Sequence, residues 1–174
     1  MNRLRLVLPS LKYKDELLDY KREFIESGDS MDGTAGLRNA NTFEEWYSAF
    51  CDNLKEETVG EGLVPATTYM AITTDDERLV GMIDIRHRLN NYLLNFGGHI
   101  GYSVRKSERN KGYATEILAL ALIECKKMNI NHVLITCDKE NVASAKIMIK
   151  NGAKLENEIP EGEGITQRYW ITLD

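Results

Sequence analysis

Val104-Arg105-Lys106-Ser107-Glu108-Arg109-Asn110-Lys111-Gly112-Tyr113-Ala114-Thr115 is the most informative stretch of the chain. It joins a strand-like segment, His99–Val104, to a helical one, Gly112–Met128. In that helix Ala114, Ile117, Leu118, Ala121, Leu122, Cys125 and Met128 share one broad face. The first turn of a helix leaves its N–H groups unpaired and carries a partial positive charge, so a diphosphate can dock there. Gly112 and the small Ala114 let an anion approach the backbone closely. Arg105, Lys106, Arg109 and Lys111 stand against the single acid Glu108. An ordinary turn with solvated basic side chains would look similar, but four cations in seven residues beside a glycine favour an anion site. The pattern is neither a Gly-x-x-x-x-Gly-Lys-Ser/Thr phosphate loop nor Gly-x-Gly-x-x-Gly.

Toward the C-terminus, His132–Cys137 predicts a β-branched strand, and Asn141 caps a short helix ending at Asn151-Gly152. Leu155–Glu158 and Gln167–Leu173 predict a closing strand pair. Toward the N-terminus, Leu4–Leu8 predicts a first strand and Leu11–Ser27 an amphipathic helix ending near Gly28. Asp29–Asn41, rich in Gly, Asp, Asn and Thr, predicts a loop. Thr42 with Glu45 forms a capping box for a helix holding Phe43, Trp46, Phe50 and Leu54. Thr67–Thr73 and Leu79–Ile85 flank a turn and predict a hairpin. The order β-α-α-β-β-β-α-β-α-β-β, with a strand–helix–strand crossover from His99 to Cys137, predicts an α/β (α+β) fold with a mixed sheet flanked by helices.

A chain of 174 residues suits a single domain that needs no disulfide or metal staple. No apolar run is long enough for a membrane span, and Arg3 and Arg5 precede no secretory apolar core. Cys51, Cys125 and Cys137 lie among apolar neighbours, which suits reduced thiols in the cytosol. The net charge of −5 argues against nucleic acid. Its distribution is uneven: residues 1–98 hold 11 Lys and Arg against 17 Asp and Glu, whereas residues 99–154 hold 10 against 5. A basic segment within an acidic chain suggests a local site for an anion. The three histidines have no metal-ligand spacing, so no metal is expected.

Arg109-Asn110-Lys111-Gly112-Tyr113-Ala114 resembles motif A of the GNAT superfamily of N-acetyltransferases, Arg/Gln-x-x-Gly-x-Gly/Ala. The family places that motif five residues after a strand-terminal Val, as Val104 stands here, and follows it with a helix, a strand and a motif built around Asn. Here that motif is Cys137-Asp138-Lys139-Glu140-Asn141-Val142-Ala143-Ser144, with Gly152 eleven residues beyond Asn141. The resemblance spans the chain and is specific from His99 to Gly152. Gly101-Tyr102-Ser103-Val104 and Arg168-Tyr169-Trp170-Ile171 look nearest to RimJ/RimL-like and uncharacterised bacterial members.

The resemblance implies a mostly antiparallel sheet splayed between two parallel strands, and one N-acetyltransferase domain over residues 1–174. Acceptor-side elements would occupy about 1–98, the acetyl-CoA core 99–154 and closing strands 155–174. It implies acetyl-CoA as co-substrate and direct transfer to an amine, on a small molecule or a protein N-terminus; a homodimer is compatible. Backbone of Tyr102 and Val104 would pair with the pantetheine arm. Amides of Arg109, Asn110, Lys111, Gly112, Tyr113 and Ala114 would hold the pyrophosphate, with Thr115 adding a hydroxyl. Asn141 and Ser144 would line the same wall, although Asn141 also makes sense as a plain N-cap.

Many relatives carry Tyr seven residues after the motif Asn, as a proton donor to the leaving thiolate. Met148 stands there, and a thioether donates no proton. That feature favours the competing possibility, a coenzyme A-binding sensor or scaffold without turnover. Where RimJ/RimL-like members often have Glu, this chain has His99, either a general base or a structural strand residue. Asp84 and His87 are weaker candidates for the base. Tyr20, Trp46 and Tyr47 are candidate acceptor-pocket residues, although aromatic residues at helical spacing usually belong to the core.

Overall fold

The computed structural model describes residues 2–174. Strands β1 (Leu4–Val7), β2 (Ala66–Thr73), β3 (Leu79–Arg86) and β4 (Ile100–Val104) form one sheet in the order β1-β2-β3-β4. Strands β5 (His132–Asp138), β6 (Lys154–Glu161) and β7 (Gly164–Thr172) form a second, ordered β5-β7-β6. Every ladder is antiparallel. Helices α1 (Lys14–Ser27) and α2 (Phe43–Asn53) precede β2, α3 (Tyr113–Lys127) links β4 to β5, and α4 (Val142–Lys150) links β5 to β6. The expected order therefore holds, and the expected splay is a complete separation: β4 and β5 share no ladder. A π-helical turn at Leu93–Gly97, between β3 and β4, is an element that the periodicity did not predict.

Alternation in the strands sorts side chains between two cores. Met70, Ile72 and Met82 join Leu17, Tyr20, Phe24, Phe43 and Trp46 beneath α1 and α2. Ala71, Ile83, Ile85, Ile100 and Val104 join Ile117, Leu118, Ala121 and Cys125 beneath α3. The helix ends are set locally. Gly28, at φ 72°, stops α1, and Thr42 Oγ1 accepts from the Glu45 amide at 3.1 Å to start α2. Among the described residues, no helix is long and apolar enough to cross a membrane.

The loop between α1 and α2 lies directly on β4. Ser103 Oγ donates to the carbonyl of Asp32 at 2.6 Å, and Trp46 Nε1 donates to the carbonyl of Thr34 at 2.8 Å. Gly33 has φ +71°, and a Cβ there would stand 2.3 Å from the Gly101 carbonyl oxygen. Only glycine fits this backbone-on-backbone contact. Gly33→Ala should therefore cost about 2 kcal/mol or more of stability, from strain and overpacking together. Urea denaturation of the variant against wild type measures it.

Candidate functional site

His99 joins the two sheets. Its carbonyl accepts from the Arg86 amide at 2.7 Å, continuing the β3–β4 ladder, and its own amide donates to the Leu134 carbonyl of β5 at 2.7 Å. Its Nδ1 accepts from the Leu134 amide at 3.0 Å. Past this junction β4 and β5 part, and a cleft of about 840 Å³ opens between them. Tyr102, Val104, Arg109, Asn110, Gly112, Tyr113, Ala114, Thr115, Asn141 and Ser144 all line it; His99 and Lys111 do not. The ladder to β3 uses the backbone of the odd residues, shown at its ends by His99 O and Arg105 N. Amides of Tyr102 and Val104 therefore face the open edge. The Val104 carbonyl is already taken by Arg109 Nε at 3.0 Å.

At the far end of the cleft, Gly112 is the N-cap of α3, with φ 82° and no side-chain cap. Asn110 also has positive φ, 63°, which an Asn tolerates better than most residues. Among the described residues, none of the amides from Asn110 to Thr115 has a protein acceptor. Consecutive unclaimed N–H groups at a helix start, bent by left-handed residues, form an anion-binding concavity. The donor set fits a diphosphate.

The basic charge of this turn needs correcting. Arg105 is 4% exposed, and its guanidinium bonds Asp19 at 2.5 Å and Glu23 at 2.6 Å from α1. Arg109 pairs with Asp29 at 2.7 Å, which holds that carboxyl below its usual range. Glu108, only 3% exposed, binds Arg78 and Lys111, each at 2.7 Å. Arg105 and Arg109 thus anchor the turn to α1 and the loop after it, and Lys111 pairs within the turn. Lys111 contributes its backbone at most, because its side chain turns back to Glu108.

On the opposite wall, Asn141 Oδ1 accepts from the Ser144 amide at 3.1 Å, the expected N-cap of α4. Ser144 Oγ meets Tyr102 Oη at 2.7 Å, a hydrogen bond running from β4 to α4. Burial pushes the Tyr102 phenol up to about 12. Cys137 also lines the cleft, but burial first, and Asp138 second, push its thiol up to about 11, which leaves it a weak nucleophile. Met148 is fully buried in the α3 core.

The cleft is also lined by Asp29, Ser30, Asp32 and Gly33 from the α1–α2 loop, and by Arg86, Tyr92 and Phe96. A second cavity of about 410 Å³ shares Ser30, Asp32, Gly33 and Arg86 with the cleft and adds Asp84. Sequence reasoning singles out none of these loop residues, although the run Asp29-Ser30-Met31-Asp32-Gly33 within a glycine-rich loop is a usable signal. Tyr20 and Trp46, considered for this pocket, are instead core residues no more than 1% exposed. Tyr47 packs against the same core. Asp84, 6% exposed, accepts from Thr68 Oγ1 at 2.8 Å and pairs with Arg86 at 3.3 Å. His87 Nε2 meets Thr67 Oγ1 at 2.7 Å, outside the cleft walls.

His99 is corrected from base to bridge by its geometry. The Nδ1 lone pair is spent on Leu134, the ring is 7% exposed, and burial, helped by Arg86, pushes its pKa from 6.5 down to about 4. A proton has to be excluded for the junction to persist. Between those two values an unfolded chain binds a proton that the folded chain does not, so stability falls as pH drops from 6.5 toward 4. The expected loss is up to about 3 kcal/mol, and His99→Gln should remove most of that slope. Denaturant titrations of both proteins across this window test it.

The acetyltransferase YnaD of Bacillus subtilis (strain 168), described as an uncharacterised N-acetyltransferase, is 31% identical over 117 residues, which are 62% of this chain and 64% of YnaD. This chain thus spans just under two thirds of that relative. Among solved structures, RimL, a ribosomal L7/L12 alpha-N-protein acetyltransferase in complex with coenzyme A, superposes with a TM-score of 0.74 at 15% identity, covering 100% of this chain and 96% of RimL. The microcin C7 self-immunity acetyltransferase MccE, in complex with acetyl-CoA and AMP, gives 0.71 at 18% identity, covering 99% of this chain and 94% of MccE. At such identities the likeness is one of fold. The model of the acetyltransferase (GNAT) domain matches residues 3–154, and this chain belongs to that family.

Proposed function

We propose that this protein holds acetyl-CoA in the cleft between β4 and β5 and passes the acetyl group directly to a primary amine within a ternary complex. The observation that carries this reading is the run of unclaimed amides from Asn110 to Thr115 at the start of α3, at the end of an open β4 edge. Acetyl-CoA would supply the thioester, whose C–S bond breaks as the amine's C–N bond forms. The amides and the helix N-terminus offset the diphosphate charge, Thr115 offers a hydroxyl, and the Tyr102 and Val104 amides receive the pantetheine arm. MccE, solved with acetyl-CoA, and RimL, solved with coenzyme A, support the same use of the fold.

Direct transfer fits the lack of a good nucleophile on the cleft walls. The Cys137 thiol is pushed up to about 11, and the Ser144 hydroxyl is bound to Tyr102. The acceptor enters beside Asp32, on the wall common to both cavities. Asp32 is placed to attract an ammonium group and to take its proton through water, the role that His99 cannot fill. RimL is a protein alpha-N-acetyltransferase, which supports a protein N-terminus as acceptor; a small-molecule amine is the other acceptor class. The whole chain acts as one unit, because residues 1–98 supply the acceptor wall and residues 99–154 the coenzyme wall. The three cysteines are unpaired, which suits the cytosol.

Gly112→Asp places a carboxylate in the anion concavity and should weaken acetyl-CoA binding at least tenfold, ~1.4 kcal/mol. Gly112→Asn, with the same shape and no charge, should lose less. Calorimetric titration of the folded variants, beside a thiol-release assay over a panel of amines, reads both steps. Unchanged affinity in Gly112→Asp would sink the proposal.

A further inference from the structure

Met148 leaves α4 without the phenol that many relatives carry on it, yet a phenol from another element stands against α4. Side chains on a helix lean toward its N-terminus, and positions four apart share a face. A tyrosine at position 148 would therefore reach back over the turn that holds Ser144. Tyr102 rises from the opposite wall, β4, and brings its hydroxyl to within 2.7 Å of Ser144 Oγ. Both residues line the cleft, together with Cys137 and Ile147. Ser144 is itself fixed, because its amide is held by Asn141 Oδ1 at 3.1 Å.

We propose that Tyr102 donates a hydrogen bond to the sulfur of the departing coenzyme A, with Ser144 as the positioning residue that holds its phenol. This inference rests on acetyl-CoA binding in the β4–β5 cleft. A hydroxyl has one donor and two acceptor sites, so Ser144 Oγ–H can donate to Tyr102 Oη and leave the phenolic O–H free for the cleft. As the amine nitrogen bonds to the carbonyl carbon, the C–S electron pair stays on sulfur and the amine's proton leaves through Asp32 and water. The phenol, held near 12, is a weaker acid than a thiol and keeps its own proton. It stabilises the developing thiolate by a charge-assisted hydrogen bond, and solvent protonates the thiolate after release. The strand wall thus supplies the hydroxyl that relatives supply from the helix, which explains how Met148 is tolerated.

The test is the ionisation of coenzyme A bound to the protein, followed by thiolate absorbance in a pH titration. In Tyr102→Phe the bound thiol's pKa should rise by about one unit or more relative to wild type. Ser144→Ala should raise it less, because the phenol remains. Coenzyme A lacking its sulfur should bind wild type and Tyr102→Phe equally, and kcat with acetyl-CoA should fall about tenfold in Tyr102→Phe while KM for acetyl-CoA hardly moves. If Tyr102→Phe does not fold, 3-fluorotyrosine at position 102 keeps the ring and strengthens the donor, and should lower the bound thiol's pKa. An unchanged thiol pKa in Tyr102→Phe or the fluorinated protein overturns the proposal. So does a larger shift in Ser144→Ala, which would make the serine the donor. Failure of wild type to bind coenzyme A at all would instead overturn the assignment of the cleft.

Discussion

His99 ties β4 to β5 through its amide and its ring, and the cleft exists because that tie is not repeated further along. The Leu134 backbone is satisfied at the junction by two groups of a single residue. Gly98 makes the approach possible: at φ +66°, a Cβ there would stand 2.6 Å from the Leu134 carbonyl. Beyond it, the sheets follow their own partners, β3 for one and β7 for the other. Ordinary sheet physics pairs every strand edge it can. Here an interior edge is left open, and the histidine fixes where the opening begins. A neutral ring is required for this, so the same residue that shapes the site cannot also serve as its proton acceptor.

The turn after β4 shows a second economy. A buried ion pair is costly unless its partners are well placed, and Arg105 is surrounded by Asp19, Glu23 and the Leu79 carbonyl. Glu108 is held in the same way by Arg78 and Lys111. These contacts bind α1, β3 and the turn into one rigid piece. They also consume most of the charge that looked available for an anion. What remains for the ligand is the backbone, whose donors are already aimed and need no reorganisation.

The loop between α1 and α2 follows from the same framework. Because Gly33 must sit against Gly101, the loop between α1 and α2 has little freedom in height above β4. Asp29, Ser30 and Asp32 are carried with it to the rim, and the Ser103 hydroxyl fixes the Asp32 backbone from below. Tyr20 lies under this contact and donates to the Ser103 carbonyl at 3.1 Å. A core helix, a strand and the α1–α2 loop thus meet in one hydrogen-bonded stack, so changes in α1 should be felt at the rim of the cleft.

The amino-acid sequence by itself determined the order of the elements, the caps at Thr42 and Asn141, and the glycine turn that opens α3. These are local: each depends on residues within one or two helical turns, where periodicity, capping and glycine preferences act. Tertiary structure alone decided which cations were free, which aromatic residues were core, and what His99 does. Arg105 and Asp19 are 86 residues apart in the chain, and Tyr102 and Ser144 are 42 apart. Charge and residue type were legible along the chain, but whether a charge is spent inside or offered to a ligand depends on partners that only folding brings together.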